Sequence, residues 1–367
     1  MLVLIVLILV IGLLIFVHEF GHFITAKRAG CRIEEFGFGF PPRIAGIKKG
    51  ETVYSINLIP LGGFVKIYGE EGEASDDEQS FASKSIGRRA FILVSGVAMN
   101  LVLAIFLFSL GAYIGLPEVV EETGAEAKDI KVHILDIAKE SPAKEAGLQI
   151  GDIILKVNDQ KVKNYEDVKK YVAATAGEKV MLVIERGGQA FEKEARFRPV
   201  PPEGEGPLGV DLIQTGIVRY PPLEAVWVGL KSTFLITAGI FLIIYDILKE
   251  LFVSGGVSVQ VAGPVGIAVM TGAAVKMGIS YLIQFVAVLS VNLAIINILP
   301  FPALDGGRIL FLGIEKIRGK KISPAFENAV HTFGFVLLII LMLAITFKDI
   351  SRSKEIFASI LSKVELF

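Results

Sequence analysis

The chain has 367 residues, 53 % of them hydrophobic and only 20 % charged, and its 37 basic and 38 acidic side chains leave a net charge of −1. A mean hydropathy of +0.61 lies outside the range of soluble domains, which are about 45–50 % apolar and about 25 % charged, and excludes an ordinary soluble enzyme or a disordered chain. The balanced charge gives no basic field for nucleic acid, and a single cysteine, Cys31, can form neither an internal disulfide nor a thiolate zinc site.

Residues 1–17 carry no charge. They lack a basic start and a small-residue cleavage site, so they read as an uncleaved first span over about 2–26 rather than a signal peptide. The next segment, 34–89, is hydrophilic. Within it Thr52–Leu58 alternates like a strand, Pro60–Phe64 predicts a turn, and Val65–Tyr68 predicts a returning strand. An acidic patch, Glu70–Ser80, follows. Apolar runs at about 90–116, 280–299 and 330–347 predict three further spans. Between the second and third lies a soluble-looking stretch, 125–199. Its apolar residues alternate at strand period over Asp152–Asn158 and Val180–Ile184, and Tyr165–Ala173 reads as a helix. These features predict a polytopic α-helical membrane protein with about four transmembrane helices and one inserted α+β domain.

Pro222–Phe252 is long and apolar enough to cross, yet it carries Glu224, Lys231, Asp246, Lys249 and Glu250. Such a segment also suits an amphipathic helix at the membrane interface.

The chemistry concentrates in His18-Glu19-Phe20-Gly21-His22. Residues four apart share a helix face, so both imidazoles reach one metal, and Glu19 lies where it can contact a metal-bound water. This is H-E-x-x-H, two zinc ligands and a general base. An ionisable residue at membrane depth is expensive, and it marks a functional site. Catalytic zinc takes three protein ligands and keeps one position open. His133 and His331 lack supporting context and Cys31 lies beyond the helix, so a carboxylate is the better third ligand. Asp305 is the candidate, since two prolines break the third span before Leu304-Asp305-Gly306-Gly307. Broken backbone at membrane depth belongs where it lines a cavity. Locally the same acid also reads as a turn or cap residue.

HEFGH together with Asn297-Ile298-Leu299-Pro300-Phe301-Pro302-Ala303-Leu304-Asp305-Gly306 resembles the site-2 proteases, which are membrane-embedded zinc metallopeptidases. The resemblance runs essentially end to end. It implies one catalytic Zn2+ held by His18, His22 and Asp305, with Glu19 catalytic. It also implies a substrate-holding role for Asn297. Ser141–Asp152, followed by the DIILKVND strand, is similar to bacterial PDZ domains, which bind an extended peptide as an added strand. Gly37-Phe38-Gly39 and Pro60-Leu61-Gly62-Gly63 resemble the family's membrane-associated β element, which implies substrate contact at Gly62 and Gly63. The expected organisation is a first half of the protease core over 1–124 and a PDZ domain over 125–199. A linker with an interfacial helix and a re-entrant-like loop covers 200–278, and the second half of the core covers 279–367. Two departures are a single PDZ domain where proteobacterial members carry two, and Arg308 where they carry histidine.

The implied activity is hydrolysis of peptide bonds in single-span membrane proteins, such as trimmed anti-sigma factors or remnant signal peptides. A substrate ectodomain or extended peptide meets the PDZ domain. The implied location is the bacterial cytoplasmic membrane, with the PDZ domain outside and the active site toward the cytoplasm. Two rival classes are a metal transporter and an inert PDZ-bearing scaffold; neither requires an acid at Glu19. Ligands to one ion must meet at one depth, so spans one and three must run in the same direction. Pro222–Phe252 is therefore expected not to cross.

Overall fold

The computed structural model describes residues 2–72, 76–120, 127–175, 177–202, 205–253 and 263–364. Part of the acidic patch (73–75) and part of the expected re-entrant-like loop (254–262) lie outside them. The chain divides into two compact units, one of Met1–Leu110 with Val226–Phe367 and one of Gly111–Ala225.

The chain opens with α1 (Leu2–Arg28), then β1 (Ile33–Lys49), β2 (Thr52–Ile67) and α2 (Ile86–Ile114). In the second unit follow β3 (Leu116–Val119), β4 (Lys128–Ile137), α3 (Pro142–Glu145), β5 (Ile153–Val157), β6 (Gln160–Lys161), α4 (Tyr165–Ala174), β7 (Lys179–Arg186), β8 (Gln189–Arg196) and β9 (Val210–Val218). The chain ends with α5 (Pro222–Val253), α6 (Pro264–Met277), α7 (Ile279–Ile298), α8 (Asp305–Arg318) and α9 (Pro324–Val364).

Among the described residues, five helices are long and apolar enough to cross a membrane: α1, α2, α7, and Pro222–Glu250 and Pro324–Ser351 within α5 and α9. That is one more than the four expected, the addition being the ambiguous Pro222–Phe252 segment. Within the first unit α1, α2 and α7 share a core of Val10, Leu14, Ala104, Phe108, Ala287 and Val291, and Ile236, Ile240 and Ile244 of α5 pack against it. A hydroxyl pair, Thr25 Oγ1 with Ser95 Oγ at 2.7 Å, ties α1 to α2.

The β element differs from the expected hairpin of 52–58 with 65–68. Those two stretches do not pair with each other. Residues 35–38 lie between them, partnered on one side by 53–56 in the same direction and on the other by 63–66 in the opposite direction, which Ile33 extends by pairing with Ile67. The expected turn at Pro60–Phe64 is instead continuous with β2, bent at Gly62, whose φ is +95°. The bend carries the chain across to the other side of 33–38 rather than back along itself. It lets both faces of that strand's backbone find partners. The outer half, 43–49, folds back on 52–57 and exposes Ile44, Ile47, Ile56 and Leu58.

The second unit is wider than the expected 125–199, because β3 and β9 join its sheet in the order β3-β9-β4-β5-β7-β8. Ser141 caps α3 and Asn164 caps α4, each accepting a backbone N–H three residues on. Val132, Ile134, Ile154, Leu182, Ile184 and Phe197 are its centre. Asp152, whose side chain is fully buried, is matched by a two-pronged ion pair with Arg186.

Candidate metal centre

α1 brings His18 and His22, at 7 % and 6 % exposure, onto one buried face at i and i+4. After α7 ends at Ile298, the Pro300–Leu304 loop turns the chain so that Asp305 begins α8 beside them. His18 Nε2 lies 3.0 Å and His22 Nε2 3.3 Å from Asp305 Oδ2, and the two Nε2 atoms are 3.2 Å apart. Among the described residues, these three side chains form the only group of histidine, cysteine and carboxylate donors able to hold a metal ion.

The donors fit a tetrahedral ion. Metal bonds of 2.0–2.1 Å in a tetrahedron give edges of about 3.3 Å, and all three separations are close to that. Asp305 Oδ2 is buried with no hydrogen-bond partner. Three protein donors also leave the fourth position of a tetrahedron free for water or substrate.

α2 supplies the wall behind the histidines. A Cβ on Gly96 would overlap His22 Nε2 and come within 2.8 Å of His18 Cε1, so only glycine lets α2 pass this close. His22 Nδ1 lies 2.9 Å from the carbonyl of Ile92. A carbonyl only accepts, so Nδ1 carries the proton and Nε2 keeps its lone pair for a metal. Asn100, fully buried on the same helix, sits 3.3 Å from His18 Nδ1.

Glu19 is close enough to His18, His22 and Asp305 to interact with all three electrostatically. Its Oε2 accepts the backbone N–H of Val65 at 3.1 Å. That residue lies in 63–67, the outer stretch of β2, so the carboxylate stands between the donor cluster and a strand edge.

The other expected residues fall in two groups. Gly62 packs on Ile15 of α1, and Gly63 lies against Gly37 and near Phe16, one helical turn before the histidine pair. Asn297 lies half-buried in the last turn of α7, and among the described residues it makes no hydrogen bond to the donor cluster. His331 is not in the cluster. Its Nδ1 accepts the N–H of Ala303 at 2.8 Å, which holds the loop before Asp305 where Ala303 takes a left-handed φ of +76°. His133 bonds Thr215 Oγ1 at 2.9 Å in the second unit. Cys31 is buried, and burial raises the pKa of its thiol. Gly96, Asn100 and the Ile92 carbonyl escape a reading of motifs alone. The available signal is the carboxamide of Asn100 in a span whose other polar side chains are only the hydroxyls of Ser95, Ser109 and Tyr113.

The sequence profile of peptidase family M50 matches residues 6–341. A Clostridium perfringens relative named for zinc metalloprotease activity is 38 % identical over 337 residues, covering 92 % of this chain and 95 % of its own. Zinc metalloprotease RasP of Oceanobacillus iheyensis is 33 % identical over 434 residues, covering 94 % of this chain and 98 % of its own. Among solved structures, the PDZ domain of an SdrC-like protein from Listeria innocua is similar over 22 % of this chain and 92 % of its own length, at 20 % identity and a TM-score of 0.20. A likeness of that size carries no argument about the fold.

Proposed function

Since the chain belongs to peptidase family M50, we propose that His18, His22 and Asp305 hold its zinc and that Glu19 is its general base. The chain is a zinc metalloprotease of the site-2 type, and it acts on membrane proteins. The observation that carries the residue assignment is the meeting of three donor atoms at 3.0–3.3 Å beside a fourth, non-ligand acid.

Bound zinc acidifies water and polarises a carbonyl. Glu19 takes a proton from the attacking water and returns it to the leaving amine. A helical substrate hides its carbonyls in its own hydrogen bonds, so it must be extended before cutting. The outer stretch 63–67, with Gly62 and Gly63 at its start, offers an edge for that extended strand. The Val65–Glu19 contact brings this edge against the base. Asn297, eight residues before Asp305, is assigned to the substrate main chain. The substrates are single-span membrane proteins. The second unit, with its PDZ-like Ser141–Asp152 segment and capped α3, receives their extended peptides or ectodomains. A metal transporter would need no acid in the place of Glu19, and a scaffold would need no donor cluster.

Glu19→Gln and Asp305→Ala test the reading through separate readouts, activity at full zinc for the first and zinc affinity for the second. A third tests the wall. Gly96→Ala pushes a methyl group into His22 Nε2. Misplacing a reacting geometry by about 1 Å costs about 10²-fold in rate, and cleavage of a single-span model substrate should fall by that order. Wild-type turnover would mean that the α1–α2 contact is dispensable.

The protein lies in the cytoplasmic membrane with its metal site toward the cytoplasm and its second unit outside. Three contacts support this topology. Gly229 of α5 packs on Ser109 of α2, 13 residues beyond Gly96, which is ~20 Å along a helix. Gly272 of α6 touches Val3 of α1, 15 residues before His18. The N–H groups of Gly263 and Gly266 both donate to Asp349 of α9, 18 residues past His331. The chain therefore leaves α2 and re-enters α7 at the same end, the one away from the metal site. A crossing by α5 would need a second crossing before Gly263. The nine residues between Val253 and Gly263 are too few for a spanning helix of about 20. Lys27, Arg28, Arg32, Arg43, Lys48 and Lys49 after the first span, and Arg308, Lys316, Arg318, Lys320 and Lys321 after Asp305, mark the metal side as cytoplasmic. In a Cys31→Ser background, Glu192→Cys and Lys276→Cys should label from outside intact cells, and Lys320→Cys only after permeabilisation. Protection of the Lys276→Cys probe would mean that α5 crosses.

A further inference from the structure

The two histidines are not held alike. The Nδ1 of His22 faces a backbone carbonyl, which fixes its tautomer without help from any side chain. The Nδ1 of His18 faces the carboxamide of Asn100, 3.3 Å away. That carboxamide is fully buried, and its Oδ1 has no hydrogen-bond partner. A buried acceptor without a partner is costly, and fold maintenance alone gives no reason to keep one in a helix interface. Nor does the side chain of Asn100 tie α2 to α7. The contact from Ser290 Oγ of α7 reaches the backbone carbonyl of Asn100, at 2.8 Å, and any residue at this position would keep it.

We infer that Asn100 is the positioning residue for the zinc ligand His18: its Oδ1 accepts the Nδ1–H of His18 and so commits Nε2 to the metal. An imidazole that binds through Nε2 carries its proton on Nδ1, and that proton needs an acceptor. Turning the carboxamide by 180° about its Cβ–Cγ axis exchanges Oδ1 and Nδ2 in place: the oxygen then meets the Nδ1–H donor, and Nδ2 takes the position where Oδ1 had no partner. Among the described residues, only Asn100 has a side chain within hydrogen-bond distance of His18 Nδ1. The inference rests on the assignment of His18 as a ligand, and it adds an outer-shell partner that the H-E-x-x-H motif does not contain.

The test measures Zn2+ affinity of the full-length protein in detergent, by competition with a chromophoric chelator. The proteins are wild type, His18→Ala, Asn100→Leu, Asn100→Ala and Asn100→Asp. Outer-shell partners of metal-bound histidine are worth about 10–100-fold in affinity. Asn100→Leu and Asn100→Ala should each lose that much. Asn100→Asp keeps an acceptor toward Nδ1–H and should stay within a few fold of wild type. Asn100→Ala serves if the leucine variant does not fold. Wild-type affinity in the alanine variant, or an aspartate variant as weak as the alanine one, would overturn the role. Unchanged affinity in His18→Ala would instead overturn the ligand assignment beneath it, so the two failures are distinguishable.

Discussion

Glu19→Gln is expected to abolish proteolysis while leaving zinc bound. The substitution keeps the length of the side chain and an acceptor oxygen, so the contact from Val65 N–H, 3.1 Å in the wild-type chain, can persist. What it removes is the ability to take a proton from water and pass it to the amine. Losing a positioned general base costs about 10²–10⁴-fold, or ~3–5 kcal/mol of transition-state stabilisation. Purified variant and wild type should carry the same zinc per chain by elemental analysis. They should differ only in the rate at which a single-span model substrate is cut. Cleavage within tenfold of wild type would take the base assignment away from Glu19. Zinc loss alongside activity would make it a ligand instead. Glu19→Asp, one methylene shorter, should recover part of the rate, because the proton acceptor returns at the wrong distance.

The part of this site legible in the sequence was the part with local periodicity. His18 and His22 are one helical turn apart, so the motif alone predicts their shared face. Asp305 lies 283 residues past His22, and spacing says nothing about its approach; its signal is the interruption of an apolar span by prolines and glycines. Gly96 and Asn100 carry no motif of that kind. What places them against the histidines is how closely α2 crosses α1, a tertiary fact. The β element failed for a related reason. Pro60-Leu61-Gly62-Gly63 has turn composition, and the chain does bend at Gly62. Which side of 33–38 the next residues join is decided by strand partners distant in sequence. The widened second unit makes the same point. Val210–Val218 reads as linker until β4 is beside it. For α5, length and composition allow a crossing, and what argues against a net one is the Gly229 contact near its start together with the contacts of Gly263, Gly266 and Gly272 beyond its end.

Asp305→Ala should lose metal and activity together. Asp305 Oδ2 meets both histidine nitrogens, at 3.0 and 3.3 Å, and no third side chain of the described residues is positioned to replace it. His331, the remaining histidine near this loop, is committed to Ala303 N–H. The fold should tolerate the change. Asp305 is not the N-cap of α8, a position held by Leu304, and losing a negative charge at a helix N-terminus costs only about 0.3–1 kcal/mol. The affinity loss should exceed the about 10–100-fold typical of outer-shell partners, because a ligand itself is gone. Unchanged zinc affinity would exclude Asp305 from the ligand set. Excess metal then separates the two roles. Binding is a mass-action equilibrium, so raising free Zn2+ should refill part of the Asp305→Asn population, whose amide oxygen can still donate a lone pair. It should return a fraction of the proteolysis. The same titration should do nothing for Glu19→Gln, which holds its metal and lacks only the proton acceptor.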